Sequence, residues 1–200
     1  AQIMNSGKIN LATRLKSDLI LLLAAIVWGG GFVAQRVASA HLDFFAFNGV
    51  RFLLGGLVML PFVIWRVKKI DKKFWWILPG GLLLYGGSSL QQAGIATTSA
   101  GTAGFITGVY VVLVPLMLTI FWKHKTKAFI WLAAVAALAG TYLLSTGGSA
   151  LTPSTGNLIV LAGSLVWAFH VIVVGFAAKS LDVLIFSVGQ VLLCGVLHLI

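Results

Sequence analysis

The chain has 200 residues, 60% of them hydrophobic and 9% charged, with a net charge of +10 from 14 Lys and Arg against 4 Asp and no Glu, and a mean hydropathy of +1.04. Such apolarity lies outside the range of soluble domains and supplies runs long enough to span hydrocarbon, so the chain reads as a polytopic membrane protein. The cations lie in short loops between apolar runs rather than on one face, which argues against a nucleic-acid partner, and the single Cys194 excludes an intrachain disulfide and a cysteine-cluster metal site.

At about 20 apolar residues per crossing, helices are predicted over 18–38, 44–65, 74–96, 100–122, 128–145, 156–177 and 183–200. Lys8, Arg14 and Lys16 lead into a full-length first span with no small-residue cleavage site after it, so that span reads as an anchor and not as a signal peptide. Twelve of the fourteen cations then fall on one side: those three, Arg66, Lys68, Lys69, Lys72 and Lys73, Lys123, Lys125 and Lys127, and Lys179. The positive-inside bias makes that side cytoplasmic, with the N-terminus, and predicts a multi-pass protein of the cytoplasmic or inner membrane. Trp65, Trp75, Trp76, Trp122 and Trp131 crowd the same ends as an interfacial belt, whereas Trp28 and Trp167 lie near mid-span.

Residues 19–61 reappear without a gap at 158–200, shifted by 139, with 13 identities that include Trp28 on Trp167, Asp43 on Asp182, Phe47 on Phe186 and Gly56 on Gly195. Five predicted spans separate the starts of the two copies. An odd number means that the second copy enters the membrane from the opposite side, the inverted repeat of secondary transporters, whose sites lie at the midplane between halves. The Ser-, Thr- and Gly-rich stretch at 146–155 marks the seam. The organisation expected is therefore a cytoplasmic segment 1–17, a first five-helix repeat 18–145, a linker 146–155, and at 156–200 the first two helices of a second, incomplete repeat. Seven helices of an expected ten are present on this reading.

The polar residues inside spans are few. Arg51 is the sharpest, because a guanidinium inside a bilayer costs roughly 2.5 to 3.5 kcal/mol on insertion scales and faces a cavity or a partner when retained. Asn48 lies three residues before it on the same face, and the repeat equivalents Ser187 and Gln190 are again polar and three apart. Either a cavity lining or interhelical hydrogen bonding would account for this stripe. Trp28 with Gln35, Tyr85 with Ser89 and Gln92, and Thr107 with Tyr110 share faces at spacings of three, four or seven, and His170 is the other deep titratable group. The candidate substrate-binding set is thus Trp28, Asn48, Arg51, Tyr85, Gln92, Thr107, Tyr110, Trp167, His170 and Gln190, a lining suited to a neutral, zwitterionic or anionic organic solute. Asp43 and Asp182 begin helices and read as caps. Pro115 removes one backbone bond mid-helix and predicts a bend there. No catalytic constellation forms, since the four His are scattered and no carboxylate is mid-span, so no enzyme, cofactor or metal site is read.

At Trp28-Gly-Gly-Gly-Phe32, at Arg51-Phe52 and above all from Gln92 to Leu116, the sequence resembles the EamA-type branch of the drug/metabolite transporter superfamily. The resemblance covers the chain from about Asp18. It implies two five-helix inverted repeats, both termini cytoplasmic, and movement of small metabolites such as amino acids, nucleosides or amphiphilic compounds by alternating access, with Trp28, Arg51 and Pro115 as family positions. The partners implied are a small-molecule substrate and membrane lipid, with a homodimer left open. The alternative is a truncated or half-transporter module without transport activity of its own.

Overall fold

The computed structural model describes residues 11–67, 72–146, 149–150 and 154–200. Lys8, Lys68, Lys69 and Asp71 and part of the predicted linker lie outside the described residues. The described residues form eight α-helices: α1 (Leu11–Ala38), α2 (Phe44–Ile64), α3 (Ile77–Ile95), α4 (Ala100–Gly108), α5 (Tyr110–Trp122), α6 (Ala128–Thr146), α7 (Thr155–Ala177) and α8 (Val183–Leu197), with a 3-10 turn at Lys72–Trp76 before α3. Four segments are long and apolar enough to cross a membrane: α1, α2, α4 with α5, and α7. α3, α6 and α8 are predicted as crossings too, but Ser88, Ser89, Gln91, Gln92 and five glycines lower the apolarity of α3, and Ala128–Leu143 of α6 and Val183–Leu197 of α8 are shorter apolar helices.

Helix starts follow local chemistry. Asp43 accepts hydrogen bonds from the Phe45 and Ala46 amides at the start of α2, and Asp182 accepts from those of Leu184 and Ile185 at the start of α8. Ser99 and Ser154 cap α4 and α7 in the same way. Each satisfies donors that a helix N-terminus leaves free, and the two Asp caps occupy equivalent repeat positions.

The predicted helix 100–122 is divided at Val109. There the Val109 amide donates to Ile106 O (3.2 Å) and the Val112 amide to Val109 O (3.0 Å), a local tightening to three-residue spacing six residues before Pro115. Gly108, the last residue of α4, is a weak helix former. Pro115 sits inside α5 and cannot donate back toward Val111.

α3 is the hub, packed against α7, α8, α2 and α4. Gly80, Gly87 and Gly94 recur every seven residues, two helical turns, and so share one face. A Cβ at Gly80 would fall 2.7 Å from the Phe186 ring, one at Gly87 3.1 Å from the Trp167 ring, and one at Gly94 2.5 Å from Val160. A methyl at each position would crowd a side chain of the facing helix, and at Gly94 also the Gly156 carbonyl oxygen at 2.7 Å, so the stripe lets these helices approach closely. The two helices of the second copy are thus seated on the third helix of the first.

α2 and α8 pack antiparallel. Asn48 near the start of α2 meets His198 at the end of α8, and Arg66 just past α2 reaches Asp182 at the start of α8 at 3.4 Å. Between these ends Gly56 faces Leu192 and Gly195 faces Leu53. α1 is peripheral, in contact with α4 and α3, and Gln35 is its only buried residue.

Candidate functional site

Three polar clusters lie around α3. In the first, the Asn48 side-chain amide donates to Ser88 O (3.3 Å) and to His198 Nε2 (3.2 Å), and Ser89 Oγ lies 3.0 Å from the same nitrogen. His198 Nδ1 stands 2.8 Å from Cys194 O, so its ring N–H donates there and Nε2 is left to accept. Tyr85 meets the His198 ring edge-on at 4.5 Å between centroids. Arg51 projects from the same face of α2 as Asn48, with its Cζ 4.5 Å from the Phe52 ring centre and 5.4 Å from that of Phe47, within electrostatic reach of Cys194 and His198.

In the second cluster, between α3, α7 and α8, His170 Nε2 donates to Gln190 Oε1 at 2.8 Å. The Trp167 ring stands T-shaped to His170 at 5.4 Å and lies against Gly87. In the third, Gln91 Nε2 donates to Gln35 Oε1 (3.0 Å) and Gln92 Nε2 to Gln35 O (3.1 Å), which ties α3 to α1.

The structure therefore groups Asn48, Arg51 and Tyr85 in one cluster, Trp167, His170 and Gln190 in a second, and places Gln92 in a third. Thr107 is buried on α4. Tyr110 packs against the Met117, Ala168 and Ile172 group and lines an apolar cleft of about 620 Å³ with Val114, Ala134 and Val171. Trp28 stands apart from these clusters, 57% exposed on α1. His198, Ser88 and Gln91 take part although the sequence did not single them out. A signal for His198 existed: Gln190, Cys194 and His198 are four apart and share one helical face.

Among the described residues, buried side-chain atoms with no protein hydrogen-bond partner are Asn48 Oδ1, Arg51 Nε, Gln92 Oε1, Thr107 Oγ1 and Trp167 Nε1. They come from α2, α3, α4 and α7. Buried polar atoms ordinarily have partners, and an unpartnered one costs about 1 to 3 kcal/mol.

The family model for EamA-like transporters matches residues 15–146. The chain belongs to the EamA-like transporter family. An uncharacterized transporter of Archaeoglobus fulgidus is 35% identical over 135 residues, 66% of this chain and 41% of that protein. The uncharacterized inner membrane transporter YedA of Escherichia coli K12 is 30% identical over 150 residues, 72% of this chain and 48% of YedA. The chain aligns with less than half the length of either relative. A crystal structure matches with a TM-score of 0.69 over 92% of this chain and 66% of its own, at 17% identity, a likeness of fold alone. Family membership and the apolar helices give the chain a membrane location.

Proposed function

We propose that this EamA-family chain forms part of a transporter that moves small organic metabolites by alternating access between two inverted repeats, through a polar path bounded by α2, α3, α4 and α7. The observation that carries this reading is the set of five unpartnered buried polar atoms. Polar groups in hydrocarbon are satisfied internally or by water in a protein-lined cavity, and their presence on four helices argues for a shared path. Asn48, Arg51, Tyr85, Gln92, Thr107, Trp167, His170 and Gln190 are its proposed lining. Tyr110 stands at its margin, and Trp28 would join only when a further helix covers α1.

Several contacts support the inverted arrangement. Gly56 and Gly195 are repeat equivalents, as are Leu53 and Leu192, so Gly56 on Leu192 and Gly195 on Leu53 is one contact made twice, as a two-fold interface requires. The end of α1 and the start of α7 also share one end of the bundle: Arg36 donates to Ala96 O at 2.8 Å, and next to it Thr98 donates to Asn157 at 2.7 Å. α1, the counterpart of α7, lacks a neighbour such as α3 provides for α7. A second repeat continued by one more glycine-striped helix would cover it. The Lys and Arg asymmetry supports a cytoplasmic position for the N-terminus and the loops at 66–73, 123–127 and 178–182.

The test is flux in proteoliposomes of the full chain, with labelled amino acids, nucleosides and ethidium as probes. The reading predicts flux of at least one class above that of protein-free vesicles, reduced in Thr107→Val. A chain silent alone but active when co-reconstituted with a second half would favour the half-transporter alternative, and silence in both conditions would refute transport.

A further inference from the structure

Helices α5, α6 and α7 enclose an apolar space of their own. Two clefts of about 620 Å³ and 400 Å³ share Val114, Leu118, His124 and Val171, and so form one groove. Its walls are single helix faces: Val111, Val114, Leu118 and Trp122 on α5, and Val171, Gly175 and Lys179 on α7, all at spacings of three or four. A Cβ added at Gly175 would meet nothing within 4 Å, so the groove is open there. It is a wedge with one closed end. Toward the C-terminus of α6, Leu138 and Tyr142 pack on the Phe105 and Ile95 group, with the Tyr142 ring edge-on to Phe105 at 5.5 Å. Toward its N-terminus, Ile130, Ala133 and Ala137 line the groove and are exposed. From Val111 to Trp122 the groove runs about 16 Å at 1.5 Å per residue, close to half of the roughly 30 Å hydrocarbon core. A spanning helix needs the whole depth, whereas an acyl chain of one leaflet needs half. The open end carries charge. Lys123 takes a left-handed backbone (φ 51) that ends α5, and the His124 amide reaches back to Leu118 O at 3.1 Å, which turns this histidine onto the groove. Lys179 lines the same end, 5.5 Å from the Phe176 ring, which lies 5.7 Å from that of Trp122. No Asp or Glu occurs from Lys72 to Leu181, and the next carboxylate, Asp182, pairs with Arg66. None of the five residues with unpartnered buried atoms lines this groove, so it is separate from the proposed polar path.

We infer that this groove seats one anionic phospholipid, with an acyl chain against α5, α6 and α7 and its headgroup phosphate at His124 and Lys179. A flexible chain fills an irregular wedge that a rigid helix cannot enter to full depth. The headgroup is selected by charge, because cations next to a membrane surface attract anionic lipids and no carboxylate of the surrounding segments opposes them. Trp122 and Phe176 then lie at headgroup level, where amphipathic and aromatic rings mark the interface. The inference goes beyond the transport reading and stands without it.

The experiment is native mass spectrometry of the full chain released from detergent micelles and titrated with dioleoyl phosphatidylglycerol or dioleoyl phosphatidylcholine. One phosphatidylglycerol should be retained per chain, more tightly than phosphatidylcholine. Lys123→Gln combined with Lys179→Gln should weaken it roughly 25-fold, about fivefold for each cation near a headgroup, while Lys16→Gln on α1 should leave it unchanged. Ala137→Trp, at an exposed position of the wall, should weaken both lipids by filling the groove. The lysine variants are exposed and keep the test decisive if Ala137→Trp fails to fold. Equal affinity for the two lipids, or equal losses in Lys16→Gln and the double variant, would overturn the headgroup site. Unchanged binding in a folded Ala137→Trp would overturn the groove as the seat of the chain. A dimer that retains no lipid would put a second copy of this protein in the groove, and displacement of phosphatidylglycerol by an equal concentration of laurate would make the occupant a free solute; either result would overturn the phospholipid.

Discussion

Thr107 carries a buried hydroxyl with no partner in the protein, so the fold gains nothing from it. Thr107→Val removes that polar atom at nearly constant shape, and thermal unfolding in detergent should show stability unchanged or raised by up to about 1 kcal/mol. A clear loss of stability would mean that the hydroxyl is bonded within the protein. Asp182 gives a contrasting case. The Ile185 and Leu184 amides and Arg66 hold its carboxyl below the usual carboxylate range, so its stabilisation is complete above the unfolded-state value of about 3.9 and is lost as pH falls through the lower folded value. Asp182→Asn keeps a capping oxygen and should lower the melting temperature less than Asp182→Ala, and the acid-induced decline should flatten in both; an unchanged acid limb would dismiss the charge. These caps were legible in the sequence because an Asp before an apolar run has one common use. Arg51, Asn48 and Gln92 were legible because polar residues in mid-span are few. The partnership of Asn48 with His198, 150 residues away, was not, since sequence alone does not say which helices are neighbours.

Glycine decides how the elements pack. Gly80→Ala would push a methyl into the Phe186 ring and the Gln190 amide, and overpacking of that kind costs roughly 1 to 3 kcal/mol. By contrast Gly104 and Gly140 have no neighbour within 4 Å of an added Cβ. Gly104→Ala and Gly140→Ala should be neutral or stabilising by about 0.5 to 1 kcal/mol, because alanine is the better helix former. Denaturant unfolding of the three variants checks the order, and equal losses would place α3 elsewhere. The helices themselves were readable from apolar run length. The division at Val109 was not, because Pro115 announces a bend more loudly than the Gly108 beside which the chain tightens.

Across the whole molecule, the duplication explains features that no single helix does. α7 is pressed onto a glycine stripe while its counterpart α1 stays open, Trp167 is packed where Trp28 is exposed, and the paired glycine–leucine contacts of α2 and α8 repeat each other. All three fit the inverted arrangement proposed above. Ala40 and Lys179 are repeat equivalents, each in the turn before its capping Asp. In a Cys194→Ser background, Ala40→Cys and Lys179→Cys can each be exposed to an impermeant maleimide in intact cells and in inside-out vesicles. Inversion predicts that Ala40→Cys is labelled only in cells and Lys179→Cys only in inside-out vesicles, whereas labelling of both from the same side would contradict it.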